Sequence, residues 1–178
     1  NYSLIQLMYY VQFLKMLTNT NKFRQPAIHF EEHGVYTHFP RTSKSYYNFW
    51  KEEKRRCIEG FEAPDGEFIS GYFYFYLNYC PIYVTIPKKD ASGKIIFNEE
   101  GQQSTDRVKR FPRFWDGDYD YFSYLENCEK EGKHASVLKT RGRGYSFKGA
   151  SMCNRNFFLI PGSKSYVIAD QKAFLGGE

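Results

Sequence analysis

A glycine-rich basic turn occupies residues 139–146, where the sequence reads Lys-Thr-Arg-Gly-Arg-Gly-Tyr-Ser. It follows the apolar run 135–138 and precedes a segment of helical character from Phe147 onward. Main-chain N–H groups converge in such a turn, and the N-terminus of the following helix adds partial positive charge. The chemistry that this pattern favours is the binding of a phosphate or polyphosphate group.

The usual phosphate-loop pattern, G-x-x-x-x-G-K-[ST], fits this turn only in part. With Ser146 at the last position, Gly144 takes the second glycine and Tyr145 stands where the lysine belongs. The cation that a β/γ-phosphate needs must then come from another residue of the turn. Three side chains could supply it: Lys139 at the end of the preceding strand, Arg141 and Arg143. On spacing alone, an incidental basic turn is an equally good interpretation.

The turn resembles the deviant Walker A motif of phage large terminase subunits, in which the lysine lies at the start of the loop. The lambda-like version, K-S-A-R-V-G-Y-S, shares Lys139, Gly144, Tyr145 and Ser146 with this chain. The aromatic stretch 111–119 is similar to the adenine-side segment that precedes the phosphate loop in many terminases. From Phe68 onward the chain resembles the large terminases of crAss-like gut phages.

The resemblance implies ATP and Mg²⁺ as cofactors. It assigns phosphate neutralisation to Lys139, backbone hydrogen bonds to residues 142–146, and the Mg²⁺ shell to the Ser146 hydroxyl. The adenine-side segment lacks a terminal glutamine, so Asp116 or Asp118 would have to read the adenine amino group. The full cofactor-binding set is Lys139, Thr140, Arg141, Gly142, Arg143, Gly144, Tyr145, Ser146, Trp115 and Asp116.

The same resemblance implies a motor of the host cytoplasm that docks transiently on the procapsid and drives double-stranded DNA inward. Its partners would be the portal protein, the small terminase subunit and further copies of itself in a ring, expected to be a pentamer, with no membrane involved. The complete protein would also carry a C-terminal endonuclease. The magnesium aspartate and the catalytic glutamate are expected beyond Glu178, because Asp170 follows the phosphate loop too closely to serve. We therefore expect this chain alone to bind nucleotide weakly without turning it over.

The alternative is a basic, aromatic nucleic-acid-binding module without ATPase activity, in which residues 141–144 and exposed aromatic rings grip a strand. A structural virion protein is a third possibility.

The net charge of +5 fits an anionic partner, and the 20% aromatic content, with 16 tyrosines, fits half-buried packing surfaces. The four cysteines are far apart and predict free thiols. The spacing of His29, His33 and His38 suggests a metal site, but surface histidines are the favoured interpretation.

The predicted fold class is α/β, an incomplete P-loop NTPase with a parallel sheet, preceded by a mainly helical N-terminal region with a β-hairpin. Residues 1–66 form the helical region, 67–109 an aromatic helix and the hairpin, and 110–178 the first part of the ATPase domain. The 19 uncharged positions from Phe68 to Ile86 contain too many polar groups for a membrane span and predict a buried helix followed by a strand.

Periodicity and turn residues place the individual elements. Helices are predicted at 4–17, 44–59 (with Ser43 as N-cap), 68–79, 119–130 and 146–159. A hairpin joins strands 82–86 and 94–98, and a polar connection follows over 98–109. Two further strands, 133–140 and 165–169, are predicted to belong to the nucleotide-binding sheet.

Overall fold

The computed structural model describes residues 20–140 and 142–168. After a 3-10 turn (Thr20–Arg24) the helices are α1 (Gln25–His33), α2 (Lys44–Glu59), α3 (Gly71–Tyr79), α4 (Asp116–Lys130) and α5 (Tyr145–Leu159). The strands are β1 (Phe61–Glu62), β2 (Phe68–Ile69), β3 (Ile82–Pro87) and β4 (Thr105–Arg110). The protein is thus a mixed α/β structure with small antiparallel sheets.

Helix α3 is the centre of the core. Residues 71–78 are all buried, which the uncharged stretch around them allows, and the helix packs against the 3-10 turn and the four other helices. Ser70 caps it by accepting a hydrogen bond from the Phe73 amide at 3.2 Å. The single amide side chain in this helix, Asn78, is fully satisfied by the Phe23 and Tyr74 carbonyls and the Ala27 amide.

Aromatic rings fill the space between α3 and its neighbours. The Phe73 ring stacks on Phe122 of α4 at 5.5 Å between centroids and lies 5.0 Å from Phe114. Phe114 in turn stacks on Phe23 at 5.7 Å. The core therefore draws on residues from all three predicted regions, although their boundaries at 66/67 and 109/110 stay predictions.

The structure confirms the bounds predicted for helix α2, 44–59. It runs from Lys44 to Glu59, and the Ser43 hydroxyl accepts a hydrogen bond from the Tyr46 amide at 3.1 Å. Helices α4 and α5 likewise confirm the predictions at 119–130 and 146–159, with slightly earlier starts. The helix predicted at 4–17 lies outside the described residues.

The predicted hairpin pairing is wrong. Strand β3 pairs antiparallel with β4, in a register that joins Ile82 to Arg110 and Pro87 to Thr105, and not with residues 94–98. Residues 94–98 make only isolated bridges, Lys89 with Ile95 and Phe97 with Gln103. Asp90 and Asn98 accept local backbone hydrogen bonds and so close two tight turns at the far end of the ribbon formed by β3 and β4. The polar segment 98–109 therefore contains a strand.

The parallel sheet predicted for the nucleotide-binding region is not found among the described residues. Both sheets are two-stranded and antiparallel, and residues 133–140 and 165–168 have no strand structure. The apolar run 135–138 is exposed, with the Leu138 side chain fully in solvent. Parallel strands need neighbours and cover on both faces, and this segment has neither within the part of the chain described. The strand predictions for 133–140 and 165–168 are thus wrong; Ala169 and Asp170 lie outside that part.

Candidate nucleotide site

A cavity of about 490 Å³ opens between the base of the β3–β4 ribbon and the start of α5. One wall is the aromatic segment 111–115 that precedes α4, and the opposite wall is the glycine turn 142–144. Side chains of β3 and Tyr76 of α3 form the apolar floor. The two segments that the sequence singled out for adenine and phosphate thus border one space, and its volume is within the range of small-molecule sites.

The glycine turn has a backbone that only glycine adopts without strain. Gly142 and Gly144 have φ angles of 79° and 69°, in the left-handed region. Gly144 is also the N-cap of α5, and no side chain in the described residues caps this helix. The first-turn N–H groups of α5 therefore begin at the cavity rim, where the helix contributes partial positive charge.

Positive side chains dominate the cavity. Arg110, Arg113 and Arg143 line it, and none of these guanidinium groups forms an ion pair with a described residue. The fourth cation, Lys148, lies one turn into α5 and donates to the Asp118 carboxylate at 2.5 Å. The cavity thus has a positive field with a single, already neutralised acid, which suits an anionic ligand.

The Lys148–Asp118 pair is buried between α4 and α5. Its side chains are 4% and 9% exposed, so each charge depends on the other. Desolvation raises the pKa of Asp118, while the hydrogen bond from Lys148 opposes that rise. Lys148 Nζ also lies 4.0 Å from the centre of the Tyr145 ring. This pair fixes the start of α5, and with it the glycine turn, against α4.

The structure brings together some of the predicted site residues and separates others. Gly142, Arg143, Gly144 and Trp115 line the cavity, and the Trp115 side chain is 55% exposed. Asp118, the alternative to Asp116 for reading adenine, lines it as well. Asp116 is the first residue of α4 and does not line the cavity.

Other predicted residues do not line the cavity. Lys139 and Thr140 are exposed in an irregular segment, and Ser146 is exposed on α5. The Tyr145 ring packs against Tyr121 at 4.8 Å, beneath Lys148. Arg141 is outside the described residues.

Sequence reasoning missed Lys148, Arg110 and Arg113. Lys148 had a signal, because it stands four residues after Gly144 and so faces the same side of the helix as the turn. Arg113 lies within the stretch 111–119 that the sequence singled out, although no role was assigned to it. Arg110 had no signal, since it enters the site through the pairing of β4 with β3, which brings the end of β4 beside the glycine turn.

Comparison with known proteins adds no relative. No family model matches the chain, and neither a curated protein nor a solved structure resembles it significantly. The similarity to large terminases therefore stays a prediction that depends on the residues quoted above. Among the described residues no helix combines the length and apolar character needed to cross a membrane.

Proposed function

We propose that this chain binds ATP in the cavity between segment 111–115 and the glycine turn, and that it is the nucleotide-binding portion of a terminase-like DNA-packaging ATPase. The observation that carries the proposal is that the expected adenine-side and phosphate-side segments line the same 490 Å³ space. Exposed Trp115 offers a ring for the base, and the turn offers backbone N–H groups for the phosphates.

The cation for the phosphates comes most directly from Arg143. It lines the cavity beside Gly142 and Gly144, whereas Lys139 does not. The planar guanidinium group suits bidentate contact with phosphate oxygens. Lys148 is held by Asp118 and so positions the turn. The phosphate role of Lys139 and the Mg²⁺ role of Ser146 remain part of the proposal, although neither residue lines the cavity in this structure.

The rest of the proposed activity comes from the terminase resemblance alone. It comprises ATP hydrolysis, movement of double-stranded DNA, and assembly with the portal and the small subunit. A P-loop sheet that includes residues 133–140 would need partner strands that the described residues do not contain. Bound ATP with Mg²⁺ would supply the reactive phosphoryl group, and the described residues would bind and orient it.

Nucleotide affinity tests the proposal. We expect the purified chain to bind a fluorescent ATP analogue, with Trp115→Ala weakening binding by roughly 1–3 kcal/mol, the range for a base on an aromatic ring. Arg143→Gln should weaken it about tenfold or more, and Arg41→Gln, an exposed arginine outside the cavity, should leave it unchanged. Lys139→Ala should weaken ATP binding both with and without Mg²⁺, whereas Ser146→Ala should weaken it chiefly when Mg²⁺ is present. Absence of binding at millimolar ATP, or equal effects of Arg143→Gln and Arg41→Gln, would remove the site.

A second candidate function, nucleic-acid binding, is favoured by the exposed face of the β3–β4 ribbon. The Tyr83 side chain is 48% exposed, and Arg107 and Lys109 of β4 lie over its ring at 4.9 and 5.5 Å. A two-stranded ribbon fits the major groove of DNA, and cations beside an aromatic ring suit a phosphate backbone. If DNA binding is steeply salt-dependent, is lost in Arg107→Gln/Lys109→Gln and ignores Mg-ATP, this function stands without the ATP site.

A further inference from the structure

Three of the four histidines of the chain meet at the end of α1. His29 and His33 are one turn apart on that helix, and their ring centroids are 4.5 Å apart. His38 comes from the loop after the helix, with its ring 5.1 Å from His29 and 5.2 Å from His33. One ring nitrogen of each residue lies within 4.8 Å of the others.

Gly34 makes this arrangement possible. It ends α1 in the left-handed conformation, with φ at 70°, and its N–H donates to the Phe30 carbonyl at 2.8 Å. The chain therefore reverses directly after His33 and carries His38 back to the histidine pair. Gly34 is therefore the residue whose backbone conformation brings the three histidines together.

The cluster has an unmet requirement for a polar partner. The Nε2 atom of His29 is buried and has no hydrogen-bond partner among the described residues. A buried imidazole nitrogen without a partner is costly, and a cation among the three rings would be that partner. Glu32 adds negative charge at the rim, with its carboxylate 3.7 Å from His33 Nε2.

We propose that His29, His33 and His38 form a Zn²⁺ site with three protein ligands and a water molecule in the fourth position. Imidazole is a preferred ligand of Zn²⁺, and Zn–N distances of about 2.0–2.1 Å place tetrahedral ligand nitrogens roughly 3.4 Å apart. Since His33 and His38 are exposed, small side-chain rotations bring the three nitrogens from their present separation to that value. The ion would tie the loop to α1, independently of any nucleotide in the cavity described above.

The test is titration of the tag-free, EDTA-treated full chain with ZnCl₂, followed by calorimetry, and with CoCl₂, followed by visible absorption. We expect one ion per chain, the intense bands of four-coordinate Co²⁺, and a higher melting temperature with Zn²⁺ than with equal Mg²⁺. His33→Ala and His38→Ala, both at exposed positions, should weaken Zn²⁺ binding at least about tenfold. His134→Ala, at the remaining histidine, should leave it unchanged.

Two results would overturn the site. One is Zn²⁺ binding no tighter than Mg²⁺ binding. The other is Zn²⁺ binding that survives His33→Ala and His38→Ala but disappears when thiols are blocked, because the free cysteines would then be the ligands. His29→Ala is a less clean variant, since its ring is half-buried, so the two exposed positions decide the outcome. ATP affinity measured on the same variants separates this proposal from the nucleotide site.

Discussion

The Lys148 ammonium group lies 2.5 Å from the Asp118 carboxylate, and the two groups join the start of α5 to the start of α4. Almost no solvent reaches either side chain. Lys148 lies one turn after Gly144, so this ion pair holds the glycine turn close to α4. It is also one of the most buried polar contacts among the described residues. Both the stability of the fold and the position of the glycine turn therefore depend on the Lys148–Asp118 pair.

Removing either partner should be strongly destabilising. Lys148→Met or Asp118→Asn leaves a buried charge without its counterion, and we expect each to lower the free energy of unfolding by about 3–5 kcal/mol. The double variant should cost less than the sum of the two, by roughly 0.5–3 kcal/mol. Urea titration measures all four states. The exposed pair Lys133–Glu131 is the matched control and should show changes within about 0.5 kcal/mol. Additive costs at Lys148 and Asp118 would mean that the two groups do not interact.

Gly71 is expected to tolerate no side chain. A Cβ atom there would lie 2.6 Å from the Cys57 carbonyl oxygen and 2.7 Å from that of Ile58, both main-chain atoms at the end of α2. Those carbonyls cannot move without disturbing Arg155, which donates to them at 2.8 and 3.0 Å. We expect Gly71→Ala to cost about 1–3 kcal/mol or more.

Gly149 is the control for Gly71. It also lies in a helix, but nothing lies within 4 Å of its would-be Cβ. Gly149→Ala should therefore stabilise α5, by about 0.5–1 kcal/mol, because alanine loses less backbone entropy. Thermal melting of the two variants should move in opposite directions. Equal shifts would show that the close approach of α3 to α2 is absent in solution.

Local signals predicted α2, α4 and α5 to within a few residues, whereas α1 was not predicted. Ser43 and Gly60 mark both ends of α2, and the structure has them in those positions. Strand pairing was harder to predict, since β3 finds its partner across two intervening turns and short-range turn chemistry pointed to residues 94–98. Ala135-Ser136-Val137-Leu138 has the composition of a strand without the neighbours that a strand needs.

The candidate site was predictable only in outline. The glycine turn and Trp115 were found from local sequence, and both line the cavity. Arg110 depends on the long-range pairing of β4 with β3, which no local pattern encodes. The histidine cluster was visible as a spacing, but its closure depended on one backbone conformation at Gly34.

Glu53 is a buried carboxylate, and its hydrogen-bond and ion-pair partners should offset the cost of burying its charge. The Tyr79 and Tyr74 hydroxyl groups donate to it at 2.6 and 2.7 Å, and Arg56 forms an ion pair with it at 2.9 Å. A glutamine cannot accept all three hydrogen bonds, so we expect Glu53→Gln to cost about 2–3 kcal/mol in urea titration. Glu59→Gln, on the exposed side of the same helix, should change stability by less than about 0.5 kcal/mol. A small cost at Glu53 would show that the network does not form.

The buried and half-buried tyrosines should make the fold sensitive to alkali. Burial raises the pKa of Tyr36 to about 12, and it also raises the pKa values of Tyr74, Tyr76 and Tyr79 above their ordinary range. The folded state therefore holds these protons more tightly than the unfolded state does. The resulting stabilisation is fully present below pH 10, near the unfolded value, and is lost as pH rises through the folded values.

Tyrosinate absorbance and urea titrations between pH 9 and pH 12 check this expectation. The free energy of unfolding should fall as pH rises through this range, and the fall should be shallower in Tyr36→Phe, which removes one of the groups. The Tyr36 hydroxyl also donates to the Asn78 carbonyl at 3.0 Å, so the variant will be less stable at neutral pH as well. The difference between the two proteins must therefore shrink on the alkaline side. A difference that stays constant to pH 12 would mean that Tyr36 titrates alike in both states and is not buried.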